Sequence, residues 1–118
     1  MSKNFPEIDK DVKAGLGLLR QGAPDVMKAF AGVSMTAKQS KAIDTKTKEL
    51  MCLAIGIAVH CDGCIAHHMK GAIENGATRE EVLETVMVAI LMGGGPSVFY
   101  GADAVRAFDQ FSEEKSKG

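Results

Sequence analysis

The segment Cys61-Asp62-Gly63-Cys64-Ile65-Ala66-His67-His68 carries the densest chemistry in this 118-residue chain. Two thiols three positions apart share a face if they open a helix, so they can close into a disulfide. The unpaired N–H groups and the positive dipole end of a helix start stabilise a thiolate, the nucleophilic form of cysteine. His68 stands one turn beyond Cys64 on the same face, within reach to accept or relay the thiol proton. A thiol, a partner thiol and a base on one helical face form a minimal dithiol redox centre. Zinc sites use the same C-x-x-C spacing. A metal there would need Cys61, Cys64 and His67 or His68, with His60 or Glu49 completing the set. No second C-x-x-C or H-x-H cluster is present, so redox chemistry leads and a non-catalytic zinc-binding assembly protein is the alternative.

Apolar spacing says which elements hold these residues. Ile8, Val12, Leu16 and Leu19 recur at helical intervals, which predicts an amphipathic helix over 6–21, with Pro6 near its start and Gly22 after it. A short helix follows from about Pro24, with Val26, Met27 and Phe30 on one face. Ser34 to Lys48 is polar and weakly periodic and reads as a connector. Asp44 is a natural N-cap for a helix over 45–59. The cysteine helix spans 61–75 and closes at Asn75-Gly76, where glycine can take the left-handed cap conformation. Thr78-Arg79-Glu80-Glu81 is a capping box opening a helix with Val82, Leu83, Val86, Met87, Ile90 and Leu91 as its stripe. Gly93-Gly94-Gly95-Pro96 breaks that helix. A last one sets Val98, Ala102, Val105 and Phe108 on one side, before a solvated tail over 112–118. Nothing shows the alternation of a half-buried strand. The fold class is all-α: one domain, a bundle of five to six helices without internal repeats.

Composition narrows the functional classes. Lys+Arg 14 against Asp+Glu 15 gives a net charge of −1, and aromatics make up 5% with no Trp. That supplies neither a basic field nor stacking platforms, so nucleic acid is not an expected partner. The longest apolar run, Leu50 to Val59, falls well short of the roughly 20 residues a membrane span needs. The polar start has no apolar core of a signal peptide, so a cytoplasmic location is expected. In that reducing compartment a close Cys pair points to redox catalysis or metal, not a structural staple. Leu50 to Val59 is apolar on every face and Val86 to Met92 nearly so. Helices of that kind must be covered all round, which a small domain does poorly alone. Self-association through these helices is the expected solution.

Glu49, Cys61, Cys64 and His68 together have the spacing E-x11-C-x2-C-x3-H. With Thr45-Lys46-Thr47-Lys48-Glu49-Leu50, Gly76-Ala77-Thr78-Arg79-Glu80-Glu81 and Met92-Gly93-Gly94-Gly95-Pro96, the chain resembles the AhpD-like alkylhydroperoxidases of the carboxymuconolactone decarboxylase superfamily over about residues 40–110. The resemblance implies an all-helical fold that assembles from several subunits, often as a hexamer. It implies thiol-dependent reduction of alkyl hydroperoxides or hydrogen peroxide with no cofactor and no metal. Carried over by position, Cys64 attacks the peroxide, Cys61 resolves the sulfenic acid, and His68 with Glu49 relays protons. A lipoyl-bearing or thioredoxin-like protein is the implied reductant. The chain departs from better-studied peroxidase members at Gly63, where those carry a histidine. That leaves disulfide reductase activity open with the same pair. Superfamily decarboxylases lack the Cys pair, which counts against lactone decarboxylation.

Other residues read more plainly. Glu49 alone could simply face solvent at a helix start. An antiparallel hairpin would set it opposite about Ala72, nearly a turn past His68, a gap for a tilted crossing or a neighbouring subunit to close. Cys52 reads as an inert core thiol in an apolar run, His67 as a surface residue, His60 as a connector, and Met87 and Met92 as core. Gly93 to Gly95 is a turn without a phosphate-binding pattern. Tyr100 could line a pocket, though its spacing does not say so.

Overall fold

The helix boundaries have local causes. The computed structural model describes residues 3–117 and places them in six helices, with no strand among the described residues. These are α1 (Phe5–Gly22), α2 (Pro24–Ala37), α3 (Thr45–Ala58), α4 (Asp62–Glu74), α5 (Arg79–Gly93) and α6 (Gly95–Lys117). Asn4 caps α1 by accepting the Glu7 N–H at 2.9 Å, and Pro6 sits in the first turn, where its missing donor costs nothing. Asp44 caps α3 by accepting the Thr47 N–H at 2.8 Å. The capping box of α5 is complete: Thr78 Oγ1 accepts from Glu81 N–H at 3.1 Å, and Glu81 Oε1 accepts from Thr78 N–H at 2.9 Å. At the end of α4, the N–H groups of Gly76 and Ala77 bond back to the carbonyls of Ile73 and Ala72, with Gly76 at φ +90. This is the Schellman closure expected at Asn75-Gly76.

α3 lies at the centre, packed on α4, α5 and α6. Leu53 and Ile57 from α3 meet Ile65 and Met69 of α4, Val82 and Val86 of α5, and Ala104, Ala107 and Phe111 of α6, while Phe5 closes one end. Buried Asp9 accepts from Lys13 Nζ at 2.8 Å and Lys70 Nζ at 3.5 Å, tying α1 to α4. α2 packs on α1 alone and buries none of its residues. Among the described residues no helix is long and apolar enough to cross a membrane.

Several expectations need correction. The connector begins later than Ser34, because α2 runs to Ala37; with no side chain to bury, its last turn lacks the apolar period that marks a packed helix. α6 buries a face of Ser97, Gly101, Ala104, Ala107 and Phe111; of the expected stripe, Val105 and Phe108 pack half-buried against the core, whereas Val98 and Ala102 are exposed. Small residues win that face because they let α6 approach α5 closely. α6 also continues helically through the expected tail to Lys117; Gly118 lies outside the described residues. Met87 and Met92 are not core: they are 62% and 80% exposed, and Leu91 is 79% exposed. The chain alone does not cover the outer faces of α3 and α5, where Met51 and Ile55 also stand in solvent.

A Cβ added at Gly101 would stand 2.7 Å from Val86 Cγ1, with Ile90 close behind. Val86 is stiff at χ1 and buried, so it has little room to yield. Gly101→Ala is expected to destabilise the fold by about 1–3 kcal/mol in a denaturant titration, despite alanine's better helix propensity.

Candidate active site

The site is built on one antiparallel helical hairpin, α3–turn–α4. α3 ends with His60 N–H bonded to Ile57 O at 3.2 Å and Cys61 N–H to Gly56 O at 3.0 Å, a second Schellman closure. Here the left-handed position is filled by His60 at φ 60, the one described non-glycine residue with positive φ. That conformation is uncommon for a side-chain-bearing residue. Its ring stacks on Tyr100 of α6, centroids 4.7 Å apart, and the Lys3 ammonium lies 4.9 Å from the Tyr100 centroid. Lys3 also bonds Asp62 at 3.0 Å and Asp103 at 2.8 Å. The turn and the start of α4 are thereby fastened to α6.

Two glycines set the register of the hairpin. A Cβ at Gly56 would come 3.0 Å from Cys64 Cβ, and one at Gly71 would collide with the Glu49 carboxylate. Gly56 therefore faces Cys64 and Glu49 faces Gly71, so equal steps along the two helices bring Cys52 opposite His68. The expected partner of Glu49, Ala72, was one position away. The gap to His68 closes within a single chain. With no side chain at Gly71, the carboxylate lies against α4, Oε2 over the glycine, while Oε1 is 2.9 Å from His68 Nδ1.

Cys61 and Cys64 form a disulfide with Cα atoms 5.2 Å apart. Cys61 is the N-cap of α4, its sulfur accepting the Cys64 N–H at 3.1 Å. The sulfurs thus sit among the free N–H groups of a helix start, half-buried. One turn along α4 is His68, half-buried, and behind it Glu49, 3% exposed. The structure brings all four sequence-predicted residues onto this seam.

Burial pushes the Glu49 carboxyl up, but the His68 hydrogen bond and the positive charge of Lys38 outweigh it and hold the group below its ordinary 4.5. Glu49 is therefore an anion at neutral pH, suited to fix the orientation of the His68 ring. Burial, then the charges of His68 and Lys38, lower His67; its ring meets His68 edge-on at 4.9 Å. His67 is exposed, as expected.

Cys52 is half-buried rather than core, and its sulfur lies with donor atoms of Glu49 and His68 inside one 4.8 Å cluster. Burial and the Glu49 charge raise its thiol pKa. The available signal was its place three residues after Glu49, on the same face of α3. Gly56 and Gly71 were also passed over; glycines inside helices facing functional positions mark close approach. Gly63, between the cysteines, faces α1: a Cβ there would be 3.2 Å from Val12 Cγ2.

Residues 24–107 match the Carboxymuconolactone decarboxylase family. A protein of unassigned function from Cupriavidus necator is 35% identical over 99 residues, 84% of this chain and 88% of that protein. Among solved structures, an apo carboxymuconolactone decarboxylase family protein from Legionella pneumophila superposes with a TM-score of 0.90 at 42% identity, covering 94% of this chain and 99% of that one. A Thermotoga maritima member, for which a part in the antioxidative response has been suggested, gives 0.82 at 27% identity over 98% and 96% of the two chains.

Two outcomes follow from the geometry. Gly71→Ala should drive Glu49 off His68, destabilising the chain by about 1–3 kcal/mol and shifting the His68 ring nitrogen resonances; unchanged resonances would contradict this seating. Because Glu49 titrates lower in the folded chain than its ordinary 4.5, its stabilisation is present above that value and is lost as pH falls through the folded pKa. Glu49→Gln should therefore be less stable at neutral pH and show a flatter acid limb in pH-dependent unfolding.

Proposed function

The chain belongs to the carboxymuconolactone decarboxylase family, and on that premise we propose that it is a thiol peroxidase of the AhpD-like type. It reduces alkyl hydroperoxides or hydrogen peroxide through Cys61 and Cys64. The observation that carries this reading is the disulfide at the start of α4 with the Glu49–His68 pair one turn along the same seam. In the reduced state, the Cys64 thiolate attacks one peroxide oxygen and the O–O bond breaks. Cys64 becomes a sulfenic acid, and the alkoxide leaves as an alcohol after taking a proton relayed by His68. The Cys61 thiolate then attacks the Cys64 sulfur and expels hydroxide, which leaves as water. The sum is two thiols and ROOH giving a disulfide, ROH and water. A dithiol of the lipoyl or thioredoxin-like class returns the disulfide to thiols by exchange.

Gly63 supports a second reading. The side-chain position between the cysteines points at Val12 of α1, so a histidine there would need α1 to move. A pair without that extra base suits exchange with disulfide substrates through the same sulfurs. Self-association belongs to the proposal as well, with a hexamer favoured. Its support is the apolar surface left by one chain: Leu91 and Met92 on α5, Ile55 on α3, and an α2 that buries nothing.

The test is single-turnover oxidation of the reduced, metal-free protein by cumene hydroperoxide, followed by mass spectrometry of the thiols. Wild type should form the Cys61–Cys64 disulfide far faster than free cysteine reacts, and His68→Ala should be slower. Cys64→Ser should lose peroxide turnover altogether; full turnover in that variant would remove Cys64 from the mechanism. Disulfide turnover exceeding peroxide turnover would make the reductase reading the correct one.

A further inference from the structure

We propose that Glu49, Cys52 and His68 form a binding site for a zinc-like divalent cation. The cluster holds one carboxylate oxygen, one thiol sulfur and one imidazole nitrogen, all within 4.8 Å of one another. They converge because Glu49 and Cys52 share a face of α3 and the glycine-set register brings His68 opposite. Four-coordinate zinc takes these three donor types at about 2.0–2.3 Å, which places neighbouring donors roughly 3.4–3.6 Å apart. The Glu49–His68 edge, now 2.9 Å, would open slightly and the thiol would swing in by rotation about χ1.

Donor chemistry selects the ion. Hard cations such as calcium and magnesium ask for six or more oxygens, and Glu49 is the sole carboxylate in the cluster. A thiolate, an imidazole and one carboxylate suit zinc or cobalt instead. On binding, the Cys52 thiol gives up its proton to solvent and bonds form to Sγ, to a His68 ring nitrogen and to a Glu49 oxygen. The thiolate and carboxylate together neutralise the dication, which lets it settle beside Lys38. Glu49 also lines a cavity of ≈ 190 Å³ with Lys13, Lys38, His67 and Lys70. That cavity opens the carboxylate side of the cluster to solvent. The cysteine pair is not needed: with Cys61 and Cys64 bonded to each other, Cys52 is the chain's free thiol.

The consequence for activity rests on the peroxidase reading, whereas the binding does not. An ion on His68 occupies the ring that relays protons, so zinc held there should slow turnover. Cobalt(II) is the probe, added to protein purified without chelator with its disulfide closed. A thiolate-to-cobalt band should rise in the near ultraviolet, saturate at a single equivalent per chain, and bleach when zinc displaces the cobalt. Cys52→Ser should lose the band while keeping its helical circular dichroism. In wild type, zinc should also protect Cys52 from iodoacetamide, a readout that needs no variant. No band, a band that survives in Cys52→Ser, or alkylation at the same rate with zinc would each overturn the site. If reduced wild type shows no peroxide turnover even without zinc, the peroxidase reading falls and the cobalt result still decides the metal site. If it turns over, the peroxidase reading stands, and the cobalt titration of the disulfide-closed protein still decides the metal site.

Discussion

The close approach of α3 to α4 is the constraint on which the rest of the molecule depends. Two glycines create it: Gly56 leaves room for Cys64, and Gly71 leaves room for a carboxylate. Glycine in a helix interior costs up to about 1 kcal/mol against alanine, so two of them in facing helices are a sizeable local concession. What is gained is position. The seam carries sulfur, imidazole and carboxylate, and the adjacent faces of both helices fill the core with Leu53, Ile57, Ile65 and Met69.

That seam also resolves an electrostatic difficulty. A buried carboxylate without partners would take up a proton or move to water. Glu49 stays ionised because it has an imidazole on one oxygen and the field of Lys38 beside it. The start of α4 is treated differently. There the positive end of the helix faces the sulfurs, and Asp62, between the cysteines, is drawn outward to Lys3. Pairing with an ammonium offsets the negative charge that Asp62 would otherwise place beside the sulfurs.

Short-range chemistry was the legible part of the sequence. Caps at Asp44 and Thr78, the turn at Gly76, and the spacing of Cys61, Cys64 and His68 all depend on residues within one or two turns of each other, and each stands where its type and spacing put it. Packing faces were less legible. On α6 the more hydrophobic stripe, with Val98, is in part exposed, while Ser97, Gly101 and Ala104 are buried. Hydropathy ranks side chains by their affinity for water, but a crossing between helices selects by size. Cys52 was hidden for a related reason: hydropathy does not separate it from the apolar run around it, and only its spacing from Glu49 marks the face toward α4. Met87 and Met92 failed because periodicity marks an apolar stripe without saying whether the same chain covers it.

The contact between Glu49 and His68 spans 19 residues of sequence, and every residue of the seam falls between positions 49 and 71. In folding terms the site is local. Closing a short loop carries a small entropic cost and forms quickly compared with pairings across the whole chain. The hairpin can bring its thiols and its base together before α5 and α6 dock. α6 supports this local arrangement from outside the hairpin, with Tyr100 stacked on His60 at the turn. Chemistry carried by one contiguous hairpin can also tolerate wide variation in the surrounding helices, provided the glycine register survives.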